Sequence, residues 1–176
     1  MISLLVLIRN GVTLILLQEL IDPSQLDALT LDARKEGFLM LDRLQQEWRD
    51  DQNRFNQAGE RLFVAVEKDR VVGVCGLNRD PYSDDDRAGR VRRLYVLPEC
   101  RRRGVGRLLV TEIINNSSGY FDQLRLRTDS PEADAFYCSL GFHRVAGDPE
   151  CTHLRVISPR SFGKVTGHPG NDLNAD

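Results

Sequence analysis

The segment Val91-Arg92-Arg93-Leu94-Tyr95-Val96-Leu97-Pro98-Glu99-Cys100-Arg101-Arg102-Arg103-Gly104-Val105-Gly106-Arg107-Leu108-Leu109-Val110 organises the chain. A β-branched and aromatic run ends at Pro98, a basic turn follows, and two glycines open a segment with apolar residues at helical spacing. The order predicts strand, Gly-rich turn, helix. The first turn of a helix leaves backbone N–H groups unpaired and carries the positive end of the macrodipole, so it attracts anions. Gly104 and Gly106 have no Cβ, which lets an anion approach the main chain closely. Arg101, Arg102, Arg103 and Arg107 surround that point with positive charge. The expected guest is a polyphosphate.

Two common polyphosphate motifs are absent. The segment has no G-x-x-x-x-G-K-[ST], and Gly104-Val105-Gly106-Arg107-Leu108-Leu109 lacks the third glycine of the dinucleotide fingerprint. What remains is Arg101-x-x-Gly104-x-Gly106 after a strand containing Leu94-Tyr95-Val96. Here the chain resembles the GNAT superfamily of acyl-CoA-dependent N-acyltransferases. The resemblance implies an α/β (α+β) fold whose mixed, mostly antiparallel central sheet is flanked by helices and splayed at its two central parallel strands. It also implies acetyl-CoA as co-substrate. Its pyrophosphate would lie on the turn Arg101, Arg102, Arg103, Gly104, Val105, Gly106 and Arg107, and its pantetheine arm along the main chain of Leu94, Tyr95 and Val96.

A second match follows. Ala133-x-x-Phe136-Tyr137-x-x-Leu140-Gly141-Phe142 is similar to a segment of the same superfamily in which the tyrosine protonates the departing CoA thiolate. The resemblance thus implies Tyr137 as the catalytic acid. Ser130 stands where many members carry an asparagine facing the cofactor. The resemblance spans residues 12 to 157 and is specific only after Arg92.

Length and composition agree with one soluble domain: 176 residues, 41% apolar and 28% charged, net charge −2. Near-balance of charge argues against broad nucleic-acid binding; the basic residues cluster only between Arg87 and Arg107. Cys75, Cys100, Cys138 and Cys151 are far apart without a C-x-x-C, and His143, His153 and His168 form no sequence cluster. Spacing therefore predicts no metal site and no disulfide framework, but free thiols in a reducing cytoplasm. No membrane association is expected; a homodimer is left open.

Along the chain, residues 1–11 read as an N-terminal extension. They either pair as a strand through an Asn10-Gly11 turn or are a start-site artefact, and lack the ~20 apolar residues of a membrane span. Val12–Leu17 is the expected first strand of a domain covering 12–157. Asp22-Pro23-Ser24 caps a helix, Gly37 separates it from a second, and Asp50–Glu60 is a loop. Phe38, Trp48 and Phe55 are candidate pocket residues on this part of the chain, with core burial as the alternative.

Arg61–Glu67 and Val71–Leu77 form a hairpin, and Leu124–Thr128 and Thr152–Ile157 are strands. Ser130-Pro131 caps a helix ending at Gly141. Residues 158–176 read as a disordered tail.

The reading that follows is an acetyltransferase moving an acetyl group from acetyl-CoA to a primary amine. The general base is unassigned. Arg90 stands where some members place a glutamate, and Glu60, Asp80 and Asp129 are open alternatives for a water-linked base. A CoA-binding sensor or interaction module without catalysis is the alternative. An anionic-polymer binder using Arg90 to Arg107 is a third.

Overall fold

The sheet is built outward from β5 (Ala88–Val96), which alternates buried Val91, Arg93 and Tyr95 with half-buried Arg92, Leu94 and Val96. The computed structural model describes residues 4–8 and 13–157. Within them β1 (Leu4–Ile8), β2 (Thr13–Glu19), β3 (Arg61–Glu67), β4 (Arg70–Arg79), β5, β6 (Gln123–Leu126), β7 (His143–Arg144) and β8 (His153–Val156) form one sheet. Its order is β1-β2-β3-β4-β5-β6-β8-β7. Every neighbouring pair is antiparallel except β5 and β6, as the mixed, mostly antiparallel architecture requires.

Two irregularities shape the centre. Val74 faces Tyr95 and Gly76 faces Arg92, so Arg93 and Leu94 together oppose only Cys75. This is a β-bulge, with Arg93 in the left-handed region at φ 62°, and a bulge bends its strand. On its other edge β5 pairs with β6 only through Ala88, Gly89 and Arg90, opposite Gln123, Leu124 and Arg125. Beyond Arg90 the two strands part, and among the described residues no strand pairs with that edge of β5.

The helices cover the sheet with their apolar faces. Asp22 caps a 3-10 turn (Pro23–Leu26), in which its side chain accepts from Ser24 N at 2.8 Å and Gln25 reaches back. That turn leads into α1 (Asp27–Lys35), and Gly37 at φ 83° separates it from α2 (Met40–Arg49). Leu26, Leu29, Ala33, Leu41 and Leu44 from this unit are fully buried. α3 (Val105–Ser117) lays Val105, Leu109, Val110 and Ile113 on β3, β4 and β5. α4 (Pro131–Cys138) is capped by Ser130, whose Oγ accepts from Ala133 N at 3.3 Å.

Boundaries shift from the sequence reading where hydrogen bonding outruns apolar pattern. β2 continues through Gln18 and Glu19 because both pair with β3, opposite Val64 and Phe63. β4 runs to Arg79 for the same reason, opposite Gly89. Thr128, expected in a strand, leaves the ladder and donates its N–H to Thr152 Oγ1 at 2.9 Å. β7, two residues long, is too short to leave a periodic signature. Leu4–Ile8 pairs with β2 in register Ile8 opposite Thr13; the expected Asn10-Gly11 turn and the expected disordered tail 158–176 lie outside the described residues.

Candidate active site

Where β5 and β6 part, a groove of about 960 Å³ opens, within the size range of ligand clefts, roughly 300–1,000 Å³. It brings together most of the residues singled out by sequence. Leu94, Tyr95, Val96, Arg101, Arg102, Gly104, Gly106, Arg107 and Tyr137 all line it. Val105 and Arg103 do not. Val105 is buried under the sheet, and the Arg103 guanidinium turns away to Glu67, with Nη1 3.3 Å from its Oε2 and 3.6 Å from Cys100 Sγ.

The turn at the foot of the groove leaves main-chain N–H groups free. Gly104 is the N-cap of α3 at φ 87° and no side chain caps the helix, so its first N–H groups are unclaimed. A Cβ on Gly106 would lie no nearer than 3.5 Å to any neighbour, in ordinary contact with Phe136 and Val96. The four arginines divide into two pairs. Arg101 is held by Glu36, with Nη1 2.8 Å from Oε1, and by the Val96 carbonyl, 2.9 Å from Nε, while Arg103 is held by Glu67. Arg102 and Arg107 have no carboxylate within ion-pair distance among the described residues, and Arg107 donates to Ser139 Oγ at 2.8 Å.

Two tyrosines reach the groove, and their hydroxyls differ. Tyr95 donates to Glu36 Oε2 at 2.6 Å; burial, then this bond, pushes its pKa far above the usual phenol value. Tyr137 is buried with its ring wedged edge-on between Phe136 and Phe142, centroids 5.1 and 5.6 Å away. Among the described residues nothing hydrogen-bonds its hydroxyl. Burial, with the buried Cys75 thiol as a lesser cause, holds the Tyr137 phenol strongly protonated; burial likewise pushes Cys75 up to about 12. Of the two tyrosines, Tyr137 therefore has the hydroxyl without a partner among the described residues.

The residues considered as bases or pocket walls are sorted by their partners. Arg90 does not line the groove. It lies in a buried cluster, 3.3 Å from Asp80 Oδ1, 3.0 Å from the Glu150 carbonyl and 4.6 Å from the Tyr82 ring centroid. Asp80, whose side chain is fully buried, also pairs with Arg125. Glu60 accepts from the N–H groups of Gln57 and Arg79 at 3.3 and 3.2 Å, a structural post. Asp129 points to solvent near Arg127. Phe38 lines the groove, whereas Phe55 is buried and Trp48 packs on the core.

Several features were not read from the sequence. Arg92, Met40, Arg127 and Thr128 also line the groove. Arg92 continues the run Leu94, Tyr95 and Val96 back along β5, all of which line the groove. No local signal joins Glu36 to Arg101, 65 residues away. Asp134, Cys138 and His153, scattered in sequence, have candidate ligand atoms within 4.8 Å of one another. Asp134 is already engaged there by the Arg144 guanidinium and by His153 Nε2 at 3.0 Å, which ties α4 to β7 and β8. Among the described residues all four cysteines are free, and no helix is long and apolar enough to cross a membrane.

Comparison with known proteins agrees with the fold. A family model described as an acetyltransferase (GNAT) domain matches residues 58–144. A crystal structure from Exiguobacterium sp. 255-15, a candidate acetyltransferase, is 31% identical; the match covers 81% of this chain and 93% of that one with TM-score 0.71. The N-alpha-acetyltransferase RimI of Mycobacterium tuberculosis is 35% identical over 74 residues, 42% of this chain and 44% of RimI. A Mycobacterium leprae protein is 34% identical over 85 residues, 46% of this chain and 22% of its own length. The chain thus spans less than half the length of these curated relatives. With its bulged central strand, parting parallel pair and Gly104 helix terminus, the chain belongs to the GNAT acetyltransferase family.

Proposed function

We propose that the protein moves an acetyl group from acetyl-CoA to a primary amine of a small molecule or protein. One observation carries this reading: the uncapped start of α3, the unpaired edge of β5 and the free Tyr137 hydroxyl share one groove. Similarity to an N-alpha-acetyltransferase supports the choice of an amine.

On this reading the N–H groups opening α3, with Arg102 and Arg107, hold the pyrophosphate by charge and dipole. The edge of β5 at Leu94, Tyr95 and Val96 takes the pantetheine amides as a strand would. An N–H of that edge, aimed at the thioester oxygen, stabilises the charge that develops there, an effect worth a few kcal/mol. The neutral amine attacks the thioester carbon; the C–N bond forms, the C–S bond breaks, and the amine's surplus proton passes to solvent. Tyr137 gives its proton to the departing sulfur and regains one from water. The burial that keeps Tyr137 protonated raises a thiol in the same place as well, so the two groups, ~10 and ~8.5 in water, shift in the same direction.

The test is Tyr137→Phe, which keeps ring packing and removes the O–H. Turnover is expected to fall roughly 100-fold, with acetyl-CoA affinity by calorimetry within about twofold. Unchanged turnover across a panel of amines removes Tyr137 from the chemistry, and absence of acetyl-CoA binding removes the reading altogether.

A further inference from the structure

The donor reading leaves Arg92 in the groove unused; Arg127, which also lines it, lies 3.9 Å from Asp129. Arg92 lines the groove on β5, four residues before Val96 and so roughly 13 Å or less up the strand, away from the phosphate turn. Its surroundings are settled elsewhere: Arg93 is bonded to both oxygens of Glu47 at 2.9 and 2.8 Å, Arg90 lies on Asp80, and Arg101 lies on Glu36. Among the described residues no carboxylate comes within 4.0 Å of the Arg92 guanidinium and no acceptor hydrogen-bonds to it.

Such a group is expensive to leave half-buried and unmatched. Burial first, then the like charge of Arg93, hold its pKa below the usual arginine value; Glu47 opposes this, Arg90 adds to it, and Tyr82 opposes it slightly. Its charge is therefore without an ion-pair partner among the described residues, in a groove whose lining also includes the apolar Phe38 and Met40.

We propose that Arg92 binds a carboxylate carried by the acceptor, so that the preferred substrates are amines bearing a carboxylate a few bonds from the nitrogen. This rests on the acetyl-transfer reading of the groove. A guanidinium presents two parallel N–H groups that match a planar carboxylate. A monoanion neutralises the single fork; a phosphate dianion in the same place would keep a charge unpaired. Arg93 and Arg90, already paired with Glu47 and Asp80, leave Arg92 as the charge that meets the anion. The carboxylate belongs either to a free amino acid or to an acidic side chain near a peptide's N-terminus.

Thiol release is measured with matched acceptors: β-alanine against β-alaninamide, and the amidated tripeptide Ala-Glu-Ala against Ala-Gln-Ala. Wild type is expected to favour the carboxylate member of one pair by about 10- to 100-fold in kcat/KM, and the responding pair identifies the source. Arg92→Gln is expected to bring that ratio to within about twofold, Arg92→Lys to keep part of it, and acetyl-CoA affinity to change less than about twofold in both. Brisk transfer to neutral and anionic acceptors alike overturns this inference and leaves acetyl transfer standing, as does a preference that survives Arg92→Gln or an acetyl-CoA affinity that falls with it. No thiol release with any amine overturns both.

Discussion

Arg93 Nη2 donates to both carboxylate oxygens of Glu47, at 2.9 and 2.8 Å, and so ties α2 to the bulge in β5. The Arg93 side chain is 7% exposed and that of Glu47 20%, with Arg93 Nε buried and unpartnered. Removing one partner strands a buried charge. Glu47→Leu should therefore destabilise the fold by about 3 kcal/mol, whereas Glu47→Leu with Arg93→Leu should recover much of the loss. Urea unfolding of the two variants checks this; a double variant no more stable than the single would show that the pair itself, not the stranded charge, supplies the stability.

Glu36 competes with any anion for Arg101. Bonds to Arg101, then to Tyr95, hold the Glu36 carboxyl below its usual range, so it is charged at neutral pH. The Val96 carbonyl keeps Arg101 in place without it. Glu36→Gln is expected to tighten acetyl-CoA binding a few-fold by removing a negative charge beside the pyrophosphate, while Arg101→Ala weakens it. Calorimetry at low and moderate salt separates the two; weakening by Glu36→Gln would mean that the carboxylate's role is to aim the guanidinium.

The two glycines of the turn should separate folding from binding. Gly104 has φ 87°, so Gly104→Ala is expected to cost about 1 kcal/mol in thermal or urea unfolding. Gly106 has no positive φ, and a Cβ there meets nothing closer than 3.5 Å. Gly106→Ala should leave unfolding within about 0.5 kcal/mol of wild type and still weaken acetyl-CoA, because the methyl occupies the groove side of the turn. Unchanged affinity would place the pyrophosphate elsewhere.

The Asp134 link gives a pH dependence with a definite sign. Arg144, then His153, draw its carboxyl down to about 2 from 3.8. The unfolded chain therefore takes up this proton first as pH falls. Stability from the link is fully present above about pH 4 and is lost toward pH 2. Thermal unfolding of wild type and Asp134→Asn should converge over that window; a gap constant from pH 6 to 2 would contradict it.

Much of this protein could be read locally. The strand before Pro98, the Gly104 turn and the caps at Asp22 and Ser130 are decided by residues within a few positions of one another. Backbone geometry and periodicity are local properties. The helix that carries Tyr137 into the groove was legible for the same reason, through a ten-residue pattern.

Partners across the fold were not legible. Arg101, Arg102, Arg103 and Arg107 look equivalent in sequence, yet carboxylates from Glu36 and Glu67 claim Arg101 and Arg103 and leave Arg102 and Arg107 to the groove. Likewise Arg90 was read beside the reacting centre and lies instead against Asp80, while its neighbour Arg92 faces the groove. By itself the sequence determined most of the elements and the turn whose main-chain N–H groups stay free, because helix starts and glycine conformations depend on near neighbours. Only the tertiary structure decided which charges remain free to act, because ion pairing depends on side chains that the folded sheet and helices bring within a few ångströms.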